Sequence, residues 1–253
     1  MINIRILFKM SEFNLLNSYP RMKRKGIGRI VTPENKAIAE KLDFHYFDGD
    51  RKYGFGGYFY DGRWQNVAKL AKERYCLNKN SRVLVDRSDK GFLIYDIKKL
   101  IPGIEVYGTH PSEYSINNAM EGYGRWVLIN GIEKGDPKLI EEKSRKEILP
   151  FLIKADPWDL PFKDNYFNTV ISINNVCAYE SPKNVESIKE IIRVSKDNGI
   201  KSYIQNDSWR NQYEKEMLLG WTLLCKTFLD VDEWEKLFME EKYNGDWGFT
   251  IIE

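Results

Sequence analysis

The stretch Thr169-Val-Ile-Ser-Ile173 is apolar on both of its faces. Only a strand flanked by other strands, and covered above and below, tolerates that pattern. It does not stand alone. Arg82-Val-Leu-Val85, Ile104-Glu-Val-Tyr-Gly108, Phe151-Leu-Ile153 and the run from Ile200 to Gln205 also read as short strands. Between them lie helical patterns: Phe92 to Leu100, stopped by Pro102-Gly103; Ser112 to Met120, with Ser112 as N-cap; and Val185 to Val194. Strands alternating with helices at this spacing predict an α/β fold, a doubly wound and mostly parallel sheet with helices on both faces. Ligands of such sheets bind outside the carboxyl ends of the strands, where the strand order reverses.

The residues before this alternation read differently. Residues 1–45 form an irregular arm containing a helix from Pro33 to Leu42, with Thr32 as N-cap and Pro33 at the first helical position. Phe47 to Trp64, FDGDRKYGFGGYFYDGRW, has too many glycines for a regular helix, whereas Gln65 to Tyr75 places Val67, Leu70 and Ala71 at helical spacing. We therefore divide the chain into an N-terminal arm, residues 1–75, and a main domain, residues 76–253. A polar, charged insertion is expected at about 121–147.

Charge narrows the partners. Lys+Arg 39 against Asp+Glu 37 gives +2, too balanced for nucleic acid or an anionic membrane to be the main partner. The local basic run Arg21–Lys25 reads as a solvated surface or, alternatively, an anion contact. Cys76, Cys177 and Cys225 are widely spaced and odd in number, which argues against a disulfide framework and against a zinc centre. They are expected to be small buried hydrophobes. With His45 and His110 as the whole histidine complement, no metal site is expected. No apolar run approaches the roughly 20 residues that cross a bilayer. The opening MINIRILFKM is too short in its apolar part for a secretory signal, so a cytoplasmic location is expected.

Several blocks carry a family likeness: KGFLIYDIKKLIPGIEVYG (90–108), SEYSINNA (112–119) and DLPFKDNYFNTVISINNV (159–176). They resemble the class I S-adenosylmethionine-dependent methyltransferases. The arm YPRMKR, the block GFGGYFYDGRW and the tail SWRNQYEKEMLLGWTL extend the resemblance to a bacterial subgroup of small-molecule methyltransferases. Such proteins often serve surface-polysaccharide or other secondary biosynthesis. The resemblance implies a Rossmann-like fold, S-adenosylmethionine as cofactor and a small polar acceptor molecule.

Residue by residue, the cofactor loop departs from the family. The pattern Asp-Val-Gly-Cys-Gly-Lys-Gly, aligned through Lys90-Gly91-Phe92, meets Val85 at the acid, Arg87 at the first glycine and Asp89 at the second. Gly91 alone is kept. Thr109-His110 stands where Ile-Asp would hold the ribose, while Asp156 matches the acid that takes the adenine amino group, followed by Pro157 and Trp158. Asn174 follows the fourth strand. A side chain forced into a glycine conformation costs about 1–3 kcal/mol. A lost charged acceptor costs roughly 1.5–3 kcal/mol, and micromolar binding amounts to only about 8 kcal/mol. Weakened cofactor binding follows, unless Asp86 and Asp89 face the cofactor's cationic groups and Arg87 its carboxylate. The competing reading leaves these charges as loop residues that bind nothing.

For the acceptor, Tyr53, Tyr58, Tyr60 and Arg63 in the aromatic block suit a lid, with Tyr179 and Arg210 beyond the later strands. Packing of the arm onto the domain explains the aromatics equally well. Trp221, Phe228, Trp234 and Phe238 have helical spacing and are expected in the core. Two functions remain in view: a methyltransferase acting by direct in-line transfer, which needs orientation more than a dedicated nucleophile, and a catalytically silent paralogue that binds or stabilises an active methyltransferase. A homo-oligomer is a further expectation. A dinucleotide-dependent oxidoreductase is disfavoured, since it needs the same missing glycines and ribose acid.

Overall fold

The computed structural model describes residues 12–20, 30–196 and 202–252. The basic run Arg21–Lys25 and the residues Ile200 and Lys201 fall outside them. Six strands are described: β1 Arg82–Asp86, β2 Glu105–His110, β3 Leu152–Lys154, β4 Thr169–Ile173, β5 Ser202–Asp207 and β6 Asp246–Thr250. They form one sheet in the order β3-β2-β1-β4-β5-β6, and every pairing is parallel. The order reverses between β1 and β4, which makes their carboxyl ends the expected ligand crevice.

Period-two alternation sends each strand's side chains to two separate cores. Val83, Val85, Val106 and Ile171 face one cluster, and Leu84, Val170 and Ile204 the other. The first is covered by α3 (Gln65–Arg74), α4 (Phe92–Leu100), α6 (Tyr123–Ile129) and α7 (Pro137–Ile148). The second is covered by α8 (Lys183–Val194) and α10 (Val231–Glu240), whose Trp234 and Phe238 are fully buried. The arm contributes α1 (Pro33–Ala39) and the single turn α2 (Phe44–Phe47); α5 (Glu113–Asn117) and α9 (Gln212–Leu219) complete the helices described. As the sequence predicts, Thr32 Oγ1 caps α1 by accepting from Asn35 N–H, and Ser112 caps α5 by accepting from Ser115 N–H.

The structure adds to some expectations and corrects others. The segment at about 121–147, expected as a polar insertion, carries α6 and α7, which bury Tyr123, Val127, Ile140 and Ile148 in the first core. Their apolar residues are sparse, one stripe per helix, and the charges around that stripe mask it. Strand β6 was not anticipated, because Asp-Trp-Gly-Phe-Thr lacks a β-branched run. It is held by Asp246, fully buried, which accepts from Arg74 Nε and Nη2 at 2.7 and 2.8 Å across 172 residues of sequence. Trp221 and Phe228 lie outside any helix and are only half-buried, and Cys76 is exposed.

Candidate ligand cleft at the switch point

The loop between β1 and α4 has left-handed backbone at three positions, of which only one is a glycine. Arg87 has φ +60°, Asp89 +47° and Gly91 +79°. All three lie in the left-handed region, which costs a side chain roughly 1–2 kcal/mol and is most readily tolerated by Asp and Asn. These are left-handed positions open to other residues at a cost, not conformations that glycine alone can reach. Gly91 caps the N-terminus of α4, and a Cβ there would stand 2.5 Å from Ile148 Cδ1, so this one glycine is held by space as well as by φ.

The charges of the loop turn inward. Asp86, 2% exposed, ends β1 and accepts from Thr109 Oγ1 at 2.9 Å, Ser172 Oγ at 3.1 Å and Asn175 Nδ2 at 2.6 Å. Burial raises its carboxyl above the ordinary range, and those three donors oppose the rise. Asp86 thus staples β1, β2 and β4 together at their carboxyl ends. Arg87 donates through Nη1 to Asn174 O at 3.2 Å, and so lies across the cleft from β1 to the end of β4. Asn174 itself has φ +48°, and its Oδ1 accepts from Thr250.

His110, the last residue of β2, is 1% exposed. Its Nδ1 accepts from Ser112 N–H at 3.0 Å and lies 3.0 Å from Ser115 Oγ. The Nε2 edge faces Asp89 Oδ1 at 3.2 Å, without hydrogen-bond alignment. Burial lowers the imidazole's pKa, with Asp89 pulling the other way. Phe47, fully buried, sets its ring 5.9 Å from the His110 ring and 6.0 Å from that of Tyr114. The arm therefore packs against the carboxyl end of β2.

A buried ion-pair cluster holds the arm there. Lys90, fully buried, donates to Asp48 at 2.7 and 2.9 Å and to Glu121 at 2.5 Å. Asp48 also accepts from Tyr114 Oη at 2.7 Å and from Tyr58 N–H at 3.1 Å. The Tyr58 ring, 4.8 Å from Phe92, covers the loop. Burial first, then the Asp89 carboxylate, push the Tyr58 phenol well above its ordinary value, so it cannot serve as a base near neutrality. What remains between Tyr58, Trp64, Arg87 and Ile173 is a cavity of about 30 Å³. One water fits such a space.

The sequence-predicted residues therefore separate. Asp86, Asp89, Gly91, His110, Asn174 and Tyr58 meet at the cleft. Asp156, exposed, and buried Pro157 follow β3, and Trp158 meets Tyr179 edge-to-face at 4.8 Å. Burial pushes the Tyr179 phenol up to about 12. The other four do not join them. Tyr60 is 1% exposed and donates to Asp96 Oδ1 at 2.5 Å, in the helix layer over the first core. Tyr53 meets His45 edge-to-face, Arg63 pairs with Asp61, and Arg210 pairs with Glu12 on the surface. Phe47, Asp48 and Lys90 escaped sequence reasoning because their partners lie some 30 to 70 residues away, and a lone Asp in a Gly-rich loop reads as a turn residue.

Residues 91–202 match the family described as a methyltransferase domain. No curated protein matches the chain in sequence. Among solved structures, the MccD protein is similar at 21% identity and a TM-score of 0.45, with 68% of each chain covered. The YcgJ protein from Bacillus subtilis is similar at 14% identity and a TM-score of 0.47, with 69% of this chain and 66% of that one covered.

Proposed function

We propose, starting from a chain that carries a methyltransferase domain over residues 91–202, that this protein keeps the family's architecture but fills the cofactor groove with its own side chains. It acts as a catalytically silent binding or stabilising partner of an active methyltransferase. One observation supports this reading: the cavity at the switch point, between Tyr58, Trp64, Arg87 and Ile173, has a volume of about 30 Å³, whereas ligand sites run to roughly 300–1,000 Å³. S-adenosylmethionine is the cofactor that such a domain implies, and the residues present do not fit it. Against its fit stand the Phe47 ring packed on His110, the Arg87 side chain bonded to Asn174 O, and the two His110 ring nitrogens, both turned toward protein atoms.

A second reading has its own support. Left-handed φ angles at Arg87, Asp89 and Gly91 preserve the loop's path, so an arm that swings out would expose a loop of the right shape. The protein would then methylate a small polar acceptor, such as a surface-polysaccharide or other biosynthetic intermediate, by direct in-line transfer, with orientation as the main catalytic contribution. Calorimetric titration of the purified chain with S-adenosylhomocysteine separates the two. The silent-partner reading expects no heat up to about 1 mM ligand, and a low-micromolar dissociation constant overturns it in favour of the enzyme.

A further inference from the structure

Three residues that lie far apart in the sequence come together at one place. Cys177 sits in the 3-10 turn Val176–Ala178 after β4, Asp207 is the last residue of β5, and Cys225 lies in the loop between α9 and α10. Their ligand atoms, two thiol sulfurs and a carboxylate oxygen, all lie within 4.8 Å of one another. They are 1%, 5% and 4% exposed. Asp207 Oδ1 is buried with no hydrogen-bond partner among the described residues, while Oδ2 receives only a long contact from Thr222 Oγ1 at 3.4 Å. A buried carboxylate oxygen without a donor is expensive to maintain, which calls for a partner the protein chain does not itself supply.

We propose that Cys177, Asp207 and Cys225 form a binding site for a soft divalent cation, zinc being the best match to two thiolates and one carboxylate, with a fourth position left to solvent or ligand. The surroundings favour it. The backbone N–H groups of Lys226 and Thr227 donate to Cys177 O at 2.8 and 3.0 Å, and Cys225 N–H donates to Thr222 Oγ1 at 3.2 Å. These bonds hold the loop carrying Cys225 against the turn carrying Cys177 before any ion arrives. Charge agrees as well: two thiolates and a carboxylate around a dication sum to one negative charge, and Arg87 lies near enough to act electrostatically on Asp207. As the cation binds, the thiols and any proton on Asp207 are released to solvent as H⁺. No redox step is involved. The site stands on its own geometry, independent of whether the neighbouring cleft accepts a cofactor.

The test is metal binding by the full chain, freed of any purification tag and kept reduced. Zinc titration followed by elemental analysis is expected to give about one equivalent per chain, and Co²⁺ in place of zinc should produce thiolate charge-transfer absorption with tetrahedral d–d bands. Loss of an outer partner of a metal site already costs 10–100-fold in affinity, so Cys225→Ser and Asp207→Asn should each weaken zinc binding by about 100-fold or more. Cys76→Ser, at an exposed position, should leave it unchanged. Absence of stoichiometric zinc, absence of the charge-transfer band in the unaltered chain, or zinc retained at full affinity by Cys225→Ser overturns the proposal. The spectroscopic readout on the unaltered chain decides the matter even where a variant fails to fold.

Discussion

Replacing Asp48 by Asn keeps the side chain's shape and removes the charge that fastens the arm over the cleft. Lys90 is fully buried and Asp48's side chain is 15% exposed. In the variant Lys90 faces only Glu121, whose side chain is 46% exposed and well solvated. Breaking a buried ion pair by removing one partner costs about 3–5 kcal/mol. The surviving Glu121 contact and Asp48's partial exposure place this case at the lower end, about 3 kcal/mol. With a urea m-value of about 3 kcal/mol/M for a chain of this size, the unfolding midpoint falls by about 1 M. Asp50→Asn, in a solvated pair with Lys52 at 3.8 Å, is the control and should move it by almost nothing. A cycle with Lys90→Met should return a coupling of about 2 kcal/mol between positions 48 and 90. A loss below about 1 kcal/mol for Asp48→Asn, or additive effects in the cycle, would refute the idea that this cluster locks the arm down.

Phe47→Ala should cost about 3–4 kcal/mol, the range for deleting a buried ring. Combined with Arg87→Gly, it should give measurable S-adenosylhomocysteine binding by the same calorimetry in which the unaltered chain gives none; a flat titration of the folded double variant speaks against a groove closed by these two side chains. The Asp96 carboxyl is pushed by burial up to about 7, against the donated Tyr60 hydrogen bond. Because the folded value lies above the unfolded one, the folded state holds an extra proton between about pH 4 and pH 7. That stability is present in full below about pH 4 and is lost as pH rises through 7, on the order of 4 kcal/mol in all. Asp96→Asn should flatten this part of a plot of urea midpoint against pH, and an unchanged slope counts against the assignment.

The sheet was legible because its evidence is local. A strand such as Thr169–Ile173, apolar on both faces, or a helix such as Phe92–Leu100, ended by Pro-Gly, carries its signal within a few residues. The loop after β1 was legible through its departures: Arg87 and Asp89 are conspicuous where glycines are expected, and the backbone proves to be left-handed at both. The fate of their side chains was not legible. Whether Asp86 greets a ligand or staples three strands depends on Thr109, Ser172 and Asn175, which reach it only through the fold. The aromatic block could not be sorted for a related reason. Alternate residues of one loop go to different places, Tyr58 to the cleft and Tyr60 to Asp96 in the core, and composition alone cannot separate them. Cys177 and Cys225, 48 positions apart in sequence, meet only because adjacent strand ends and a pinned loop bring them together.

The proposed silent role requires that this chain's own side chains stand in the groove that a methyl donor would need. A crystal structure of the unaltered protein, grown with excess S-adenosylhomocysteine, puts that to the test. Phe47 is expected against His110 and Arg87 bonded to Asn174 O, with no ligand density over the loop from Arg87 to Gly91. The molecule seated there, with Phe47 and Arg87 displaced, would contradict it.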